Sequence, residues 1–173
     1  CYYVDVEGGA ARTHYMEKLK KSGGLVMGPE EGALDFESVI GQFQALATEE
    51  HGFKTVVVDS VTKLFNTAVA QEAERLGAKD AFGASKKPAV AFMRRLVNWI
   101  NRLDMNVVLI AHEKEEWGLD GKGERAATGK TCQKCGKRNW PFGANSKTRS
   151  MSGRTMELSE GGTLMLRLQL TRN

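Results

Sequence analysis

The amino-acid sequence predicts an α/β fold in which a mostly parallel sheet is flanked by helices. Two observations favour this class. Strand-like and helix-like segments alternate along the chain, as they do in proteins built from successive strand–helix–strand units. The segments 54–61 and 105–112 contain continuous apolar runs, which are typical of parallel strands buried on both faces. The connections between such strands are expected to be right-handed crossovers.

The individual elements follow from the spacing of the apolar residues. Strands are predicted at 2–6, 25–27, 54–61, 105–112 and 163–172, and helices at 11–22, 32–50 and 88–103. The helix at 32–50 has the clearest pattern, because its apolar residues share one face: Leu34, Val39, Ile40, Phe43, Leu46 and Ala47. Pro88 suits the first turn of its helix, and Asp59 is a candidate N-cap for another helix near 61–70.

Length and composition bound the class of protein. A chain of 173 residues with 41% hydrophobic and 27% charged residues is typical of one globular domain with a substantial core. No apolar run approaches the roughly 20 residues that span a bilayer, so no membrane association is expected. Two of the three cysteines form a Cys-x-x-Cys pair rather than a disulfide framework, which favours a reducing, cytoplasmic compartment.

The net charge of +4 is concentrated in one segment. Residues 118–155 hold nine Lys or Arg against two acidic residues, a charge of +7, so the remaining 16 basic and 19 acidic residues sum to −3. A local excess of this size predicts an anionic partner.

Polar side chains follow three of the predicted strands where each strand ends. Glu7 follows the first strand, Asp59 and Ser60 close the third, and His112 ends the fourth. Because ligands of open α/β sheets bind outside the carboxyl ends of the strands, these side chains are expected to converge on one crevice. A buried strand ending in Asp-Ser is typical of nucleotide hydrolases, in which the carboxylate supports the magnesium shell beside the phosphates. Taken singly, each residue has a plainer explanation. Asp59 could be a helix N-cap, Glu7 could lie in a solvated turn, and His112 could be a structural histidine.

Five segments, in order and with suitable spacing, resemble the RecA-type ATPase core: YYVDVEGGA, LVMGPEEGALDFESVIGQFQALA, TVVVDSVTKL, NVVLIAHEK and GGTLMLRLQLTR. The chain resembles phage-type RecA-like ATPases of recombination and single-strand annealing, over most of its length except 113–162. The resemblance implies a RecA-like P-loop NTPase core with ATP and Mg²⁺ as cofactors. It also implies a homo-oligomer in the cytoplasm of a bacterial or phage-infected cell.

The same resemblance implies a role for each strand-end residue. Glu7 matches the catalytic glutamate that orients the attacking water. Asp59 matches the Walker B aspartate, which holds Mg²⁺ through water, with Ser60 beside it in the nucleotide site. His112 stands where bacterial recombinases carry a glutamine that senses the terminal phosphate, and its charge would follow pH.

The sequence contains no phosphate-binding loop of the form G-x-x-x-x-G-K-[ST]. GERAATGKT, at 123–131, has five residues between its glycines and follows no predicted strand, so we interpret it as a coincidence. The RecA-type family carries this loop ahead of the strand that ends in the catalytic glutamate. We therefore expect 1–173 to be a single ATPase-domain fragment, inactive alone, with the loop upstream of Cys1 and further sequence after Asn173.

The basic segment lies where RecA-type proteins carry a mobile DNA-binding loop, here an insert at about 113–162. Basic side chains neutralise phosphates and aromatic rings stack on bases, which predicts single-stranded DNA as a partner; a solvated loop is the alternative. The residues expected to bind DNA are Lys130, Lys134, Lys137, Arg138, Trp140, Lys147, Arg149 and Arg154. Cys132 and Cys135 supply two of the four ligands of a structural zinc site, and two free thiols are the default.

Three functions remain open on the sequence alone. The favoured one is the ATP-hydrolysing core of a recombination or annealing ATPase. The second keeps the fold in a hexameric helicase or a clock-type ATPase. The third is a non-catalytic module that binds single-stranded DNA.

Overall fold

Four strands pair in parallel in the protein, whose structure is a computed structural model. They are β1 (Tyr2–Asp5), β2 (Leu25–Met27), β3 (Thr55–Asp59) and β4 (Asn106–His112), in the order β2-β1-β3-β4. The structure describes residues 1–9, 14–31, 35–80, 83–112, 115–119, 121, 123–131, 150–151, 154–158 and 163–170. Because the four strands are parallel, their carboxyl ends meet at one edge of the sheet.

Antiparallel strands extend this sheet beyond β4. β9 (Thr163–Leu170) pairs with β4, β8 (Arg154–Leu158) pairs with β9, and β7 (Ser150–Met151) pairs with β8. A separate hairpin of β5 (Glu115–Leu119) and β6 (Arg125–Thr131) follows β4. Most of the segment 123–131 is therefore a strand, which agrees with the interpretation of its Gly-Lys-Thr as a coincidence.

Helices connect the parallel strands. They are α1 (Tyr15–Lys21), α2 (Phe36–Thr48), α3 (Val61–Leu76) and α4 (Lys86–Ile100), with short 3-10 turns at Pro29–Glu31 and Gly77–Lys79. The carboxylate of Asp35 caps α2 by accepting from the backbone N–H of Ser38 at 2.8 Å. Gly77 ends α3 with a φ of 52°, a left-handed conformation that favours glycine. Among the described residues, no helix is long and apolar enough to cross a membrane.

The core lies between one face of the sheet and α2, α3 and α4. Along β3 and β4, buried residues alternate with half-buried ones, so one face of each strand is fully covered. The covered positions include Val4, Val56, Val58, Val107 and Leu109, and the helices contribute Phe43, Leu64, Leu96 and Ile100. Each fully buried side chain of this size contributes about 1.5–3 kcal/mol. This packing gives the strand ends a rigid base.

The predicted fold class is confirmed, since a parallel sheet flanked by helices is present. The strand at 25–27 has the predicted bounds, and the other predicted strands differ by at most two residues at either end. The helices predicted at 11–22 and 32–50 are observed as α1 and α2, while residues 10–13 and 32–34, Leu34 among them, lie outside the described residues. Sequence reasoning missed β5, β6, β7 and β8, because glycine and charge dominate the composition of that segment.

Candidate functional site

The register of the parallel ladder brings the ends of β1, β3 and β4 level with one another. Asp5 of β1 lies opposite Asp59 of β3, and Asp59 lies opposite Ile110 of β4. Glu7 is two residues beyond Asp5, and His112 is two residues beyond Ile110. Both side chains therefore extend past the same edge of the sheet, on either side of the end of β3.

A tight turn after β1 presents Glu7. The buried carboxylate of Asp5 accepts hydrogen bonds through Oδ1 from the backbone N–H groups of Gly8 and Gly9, at 2.9 and 3.1 Å. Gly8 has a φ of 74°, in the left-handed region where a side chain would strain the backbone. Asp5 and the two glycines thus fix the position of Glu7 relative to β1.

Ser60 links Glu7 to the start of α3. Its hydroxyl donates to Oε1 of Glu7 at 2.5 Å and accepts from the backbone N–H of Lys63 at 3.3 Å. The side chain is fully buried, and the peptide bond between Asp59 and Ser60 is cis. One hydroxyl therefore both caps the helix and holds the carboxylate. The N-cap of α3 is Ser60, so the alternative in which Asp59 is that cap is wrong.

His112 closes the site from β4. Its Nε2 lies 2.7 Å from Oε1 of Glu7, and since an ionised carboxylate can only accept, Nε2 is the donor. The backbone N–H of His112 donates to Oγ1 of Thr62 at 2.9 Å, which ties the end of β4 to the first turn of α3. The His112 and Glu7 side chains are 46% and 36% exposed, so a ligand can reach both.

The pKa of Glu7 is lowered in the folded protein. The hydrogen bond from Ser60 is the largest cause; partial burial opposes it, while the hydrogen bond and charge of His112 and the charge of Lys63 reinforce it. The carboxylate is therefore ionised at neutral pH. Because its pKa is lowered on folding, the stability it contributes is complete above its unfolded-state pKa and is lost as the pH falls through the folded-state pKa.

Asp59 is held by a residue of the neighbouring strand. The hydroxyl of Tyr3 donates to Oδ2 of Asp59 at 2.7 Å. The pKa of Tyr3 is raised, mainly because the phenol is partly buried. The hydrogen bond to Asp59 and the negative charge of the nearby carboxylates raise this pKa further. The phenol is therefore protonated, and remains a donor, throughout the physiological pH range.

The structure brings the strand-end residues together, and it describes two of the predicted DNA-binding residues. Glu7 contacts Ser60 and His112 directly, and Asp59 precedes Ser60. Lys130 lies on β6 and Arg154 lies on β8. Outside the described residues are Lys134, Lys137, Arg138, Trp140, Lys147, Arg149, Cys132 and Cys135.

Sequence reasoning missed three residues of this site: Tyr3, Asp5 and Thr62. An aspartate followed at three and four residues by glycines is a recognisable signal for a side-chain-closed turn, and it could have identified Asp5. Tyr3 and Thr62 act across elements, so their contacts with Asp59 and with the backbone of His112 require the strand register to be known.

Comparison with known proteins identifies the family to which this chain belongs. The family model described as "AAA domain" matches residues 2–139, a range that includes all the strand-end residues described above. The chain belongs to the AAA domain family. This AAA-type, P-loop ATPase-like domain has an ATPase-type function and binds nucleotide. No curated protein and no solved structure matches the chain.

The oxygen donors at this edge fit a magnesium ion that arrives with a nucleotide. Mg²⁺ prefers oxygen ligands, keeps several waters and is commonly bound through one or two carboxylates together with phosphates. Asp59 and Glu7 provide carboxylates, and Ser60 provides a hydroxyl. Within the described parts of the chain, no group of three or more His, Cys, Asp or Glu side chains could hold a metal ion by itself.

The pKa of Glu7 tests the contact with Ser60. In Ser60→Ala we expect this pKa to rise toward its ordinary value, because the largest cause of its lowering is removed. The measurement is the pH dependence of the side-chain carboxyl ¹³C resonance of Glu7, assigned by its loss in Glu7→Gln. Ser38→Ala, at the start of α2, is the control and should leave the titration unchanged. An unchanged pKa in Ser60→Ala contradicts the contact.

Proposed function

We propose that the chain is the ATP-binding and ATP-hydrolysing core of a phage-type RecA-like ATPase that acts in DNA recombination or single-strand annealing. The observation that carries the proposal is the contact of Glu7 with both Ser60 and His112, beside Asp59, at the carboxyl edge of the parallel strands. The AAA domain match supports nucleotide binding. The resemblance of five ordered segments to the RecA-type core supports the narrower type.

ATP with Mg²⁺ is the proposed substrate, bound across the ends of β1, β3 and β4. When bound, the ion would supply positive charge to offset the negative charge that develops on the phosphate oxygens during transfer to water. Asp59 is the residue that holds the ion, through water, with Ser60 beside it. Oδ2 of Asp59 accepts from Tyr3, so we assign the role toward the ion to Oδ1.

Glu7 is the proposed water-orienting residue. Its lowered pKa keeps the carboxylate ionised at neutral pH, so it accepts a hydrogen bond from the attacking water. Ser60 and His112 both engage Oε1, and we therefore assign contact with the water to Oε2. Both hydrogen bonds orient the carboxylate before the substrate binds, which reduces the reorganisation needed in the transition state.

His112 is the proposed sensor of the terminal phosphate. Its Nε2 donates to Glu7 and can instead donate to a phosphate oxygen, because an imidazole N–H serves either anion. A shift of His112 is transmitted through its backbone N–H to Thr62 and α3. The same shift of His112 is also passed along the chain to the hairpin that begins with β5, the next strand after β4.

Hydrolysis tests the catalytic half of the proposal. In Glu7→Gln we expect the rate of ATP hydrolysis to fall by roughly 10²–10⁴-fold while nucleotide affinity changes little, because the amide cannot act as the base. Since residues 1–173 contain no G-x-x-x-x-G-K-[ST] motif, turnover is measured in the protein as its gene encodes it. Glu74→Gln, an exposed glutamate of α3, is the matched control. Full turnover in Glu7→Gln contradicts the assigned role, and unimpaired DNA binding without any wild-type turnover favours a non-catalytic module.

Single-stranded DNA is the proposed partner, bound by a homo-oligomer of the full-length protein. The insert at 113–162 contains the +7 segment defined from the sequence. A second basic surface supports the same partner: α4 carries Lys86, Lys87, Arg94 and Arg95, all exposed, and no acidic residue. An acidic partner on this face is Glu37 of α2, whose Oε1 lies 3.6 Å from Nη1 of Arg95. Basic side chains that lie beside aromatic rings suit a strand whose phosphates and bases are both accessible. On α4, the guanidinium of Arg95 lies 5.8 Å from the ring centroid of Phe92.

The salt dependence of DNA affinity tests this partner. Each phosphate neutralised contributes a slope of about −0.7 to log K against log salt for single strands, so removing four basic residues should flatten the slope by up to ~3. The variant replaces with alanine the insert residues Lys137, Arg138, Arg149 and Arg154. The control removes the same charge elsewhere, at the exposed residues Lys18, Lys20, Lys21 and Lys54.

Trp140→Ala separates stacking from charge in the same assay. We expect this variant to lose about 1–3 kcal/mol of binding free energy with the salt slope unchanged. Equal slopes in the wild type, the insert variant and the control contradict a DNA-binding role of the insert.

A further inference from the structure

We propose that Tyr3 is a positioning residue, which holds the carboxylate of Asp59 in the orientation needed toward the magnesium of a bound nucleotide. The inference rests on the proposed function, since it adds a residue to the same site. Neither the strand-end pattern nor the family match assigns a role to this tyrosine.

The strand register brings the phenol to Asp59. Tyr3 of β1 is the partner of Val57 on β3, two residues before Asp59. Successive side chains of a strand point to opposite faces, so Val57 and Asp59 share a face with Tyr3. Two residues of strand advance by about 6.6 Å, which a tyrosine side chain can span. The result is the 2.7 Å hydrogen bond from the Tyr3 hydroxyl to Oδ2 of Asp59.

The hydrogen bond fixes one of the two carboxylate oxygens. A bond from a hydroxyl to an ionised carboxylate is stronger than one between neutral groups, so it restrains rotation of the carboxylate about its terminal torsion. With Oδ2 engaged by Tyr3, Oδ1 is oriented before an ion arrives. Partners of this kind, bonded to a carboxylate that serves a metal, typically change metal affinity or activity by roughly 10–100-fold when removed.

The neighbouring tyrosine provides the matched comparison. The hydroxyl of Tyr2 donates to Oε1 of Gln42 at 3.2 Å, and its ring packs edge-on against Phe53 with centroids 5.4 Å apart. Tyr2→Phe removes the same atom from the same strand as Tyr3→Phe, but from a partner on α2 and not from Asp59. A general effect of losing a phenol from β1 would appear in both variants.

The test is the Mg²⁺ requirement for binding a fluorescent ADP analogue by the full-length protein. We expect Tyr3→Phe to raise the half-saturating Mg²⁺ concentration by about 10-fold or more, with binding restored at saturating Mg²⁺. Tyr2→Phe should match the wild type. In an Asp59→Asn background, Tyr3→Phe should have no further effect, because the carboxylate that it orients is gone. Thermal melting of each variant verifies that it is folded.

A spectroscopic readout accompanies the titration. In protein labelled with 3-fluorotyrosine, the ¹⁹F resonance of Tyr3 is assigned by its absence in Tyr3→Phe. Addition of Mn²⁺ with ADP should broaden this resonance more than that of Tyr2, because Tyr3 contacts the carboxylate nearest the ion.

The outcomes separate the two proposals. If Asp59→Asn raises the Mg²⁺ requirement and Tyr3→Phe does not, the role of Tyr3 is refuted while the nucleotide site stands. Equal effects of Tyr3→Phe and Tyr2→Phe also refute it, since they indicate general packing. If binding of the ADP analogue by the wild type depends on neither Mg²⁺ nor Asp59, the proposed function fails, and the role of Tyr3 fails with it.

Discussion

The pairing of β3 with both β1 and β4 is the constraint on which the candidate site depends. The ladder sets Asp5, Asp59 and Ile110 side by side, so residues a fixed number of positions further on emerge at one level. A shift of one residue in either pairing would move a strand by about 3.3 Å and turn its side chains to the opposite face. The contacts of Glu7 with Ser60 and His112, at 2.5 and 2.7 Å, would not survive such a shift. The buried valines of these strands therefore support the site indirectly, because they specify the register.

The same edge gathers three carboxylates, which repel one another unless each is stabilised. Each has its own donors. Asp5 accepts from two backbone N–H groups of the turn, Glu7 accepts from a serine and a histidine, and Asp59 accepts from a tyrosine. These donors come from β1, from the start of α3, from β4 and from the turn itself. The carboxylates are thus oriented by the fold before any nucleotide binds, which is the arrangement that electrostatic preorganisation requires.

The sequence was informative about the parts of this site that local chemistry determines. Apolar runs that end in a polar residue located Glu7, Asp59 and His112, because strand periodicity and strand ends are visible in one dimension. Tyr3 could not be found in that way, since its bond to Asp59 depends on which residues of β1 and β3 are partners. The antiparallel strands β7 and β8 were missed for a different reason. β7 has only two residues, and Arg154 and Glu157 weaken the strand pattern of the five-residue β8.

The start of α3 also combines a feature that is visible in the sequence with one that only the structure shows. Asp59 was the predicted cap of a helix near 61–70, but which residue caps a helix depends on backbone geometry. Ser60 is the cap, which leaves the Asp59 carboxylate to accept from Tyr3. A difference of one residue in the cap thus decides which side chain caps α3 and which accepts from Tyr3.

The central claim is that nucleotide binds at the carboxyl edge of the parallel strands. Its most direct test is to add ADP and Mg²⁺ to the ¹⁵N-labelled full-length protein and to map which backbone amide resonances shift. Within 1–173, we expect the largest changes at the backbone amides of Glu7, Ser60 and His112. Little change is expected at Lys54 and Asn106, which lie at the opposite edge, where the backbone N–H of Asn106 donates to the carbonyl of Lys54 at 2.9 Å. If the largest changes occur at that opposite edge while Glu7, Ser60 and His112 do not shift, nucleotide does not bind at the carboxyl edge.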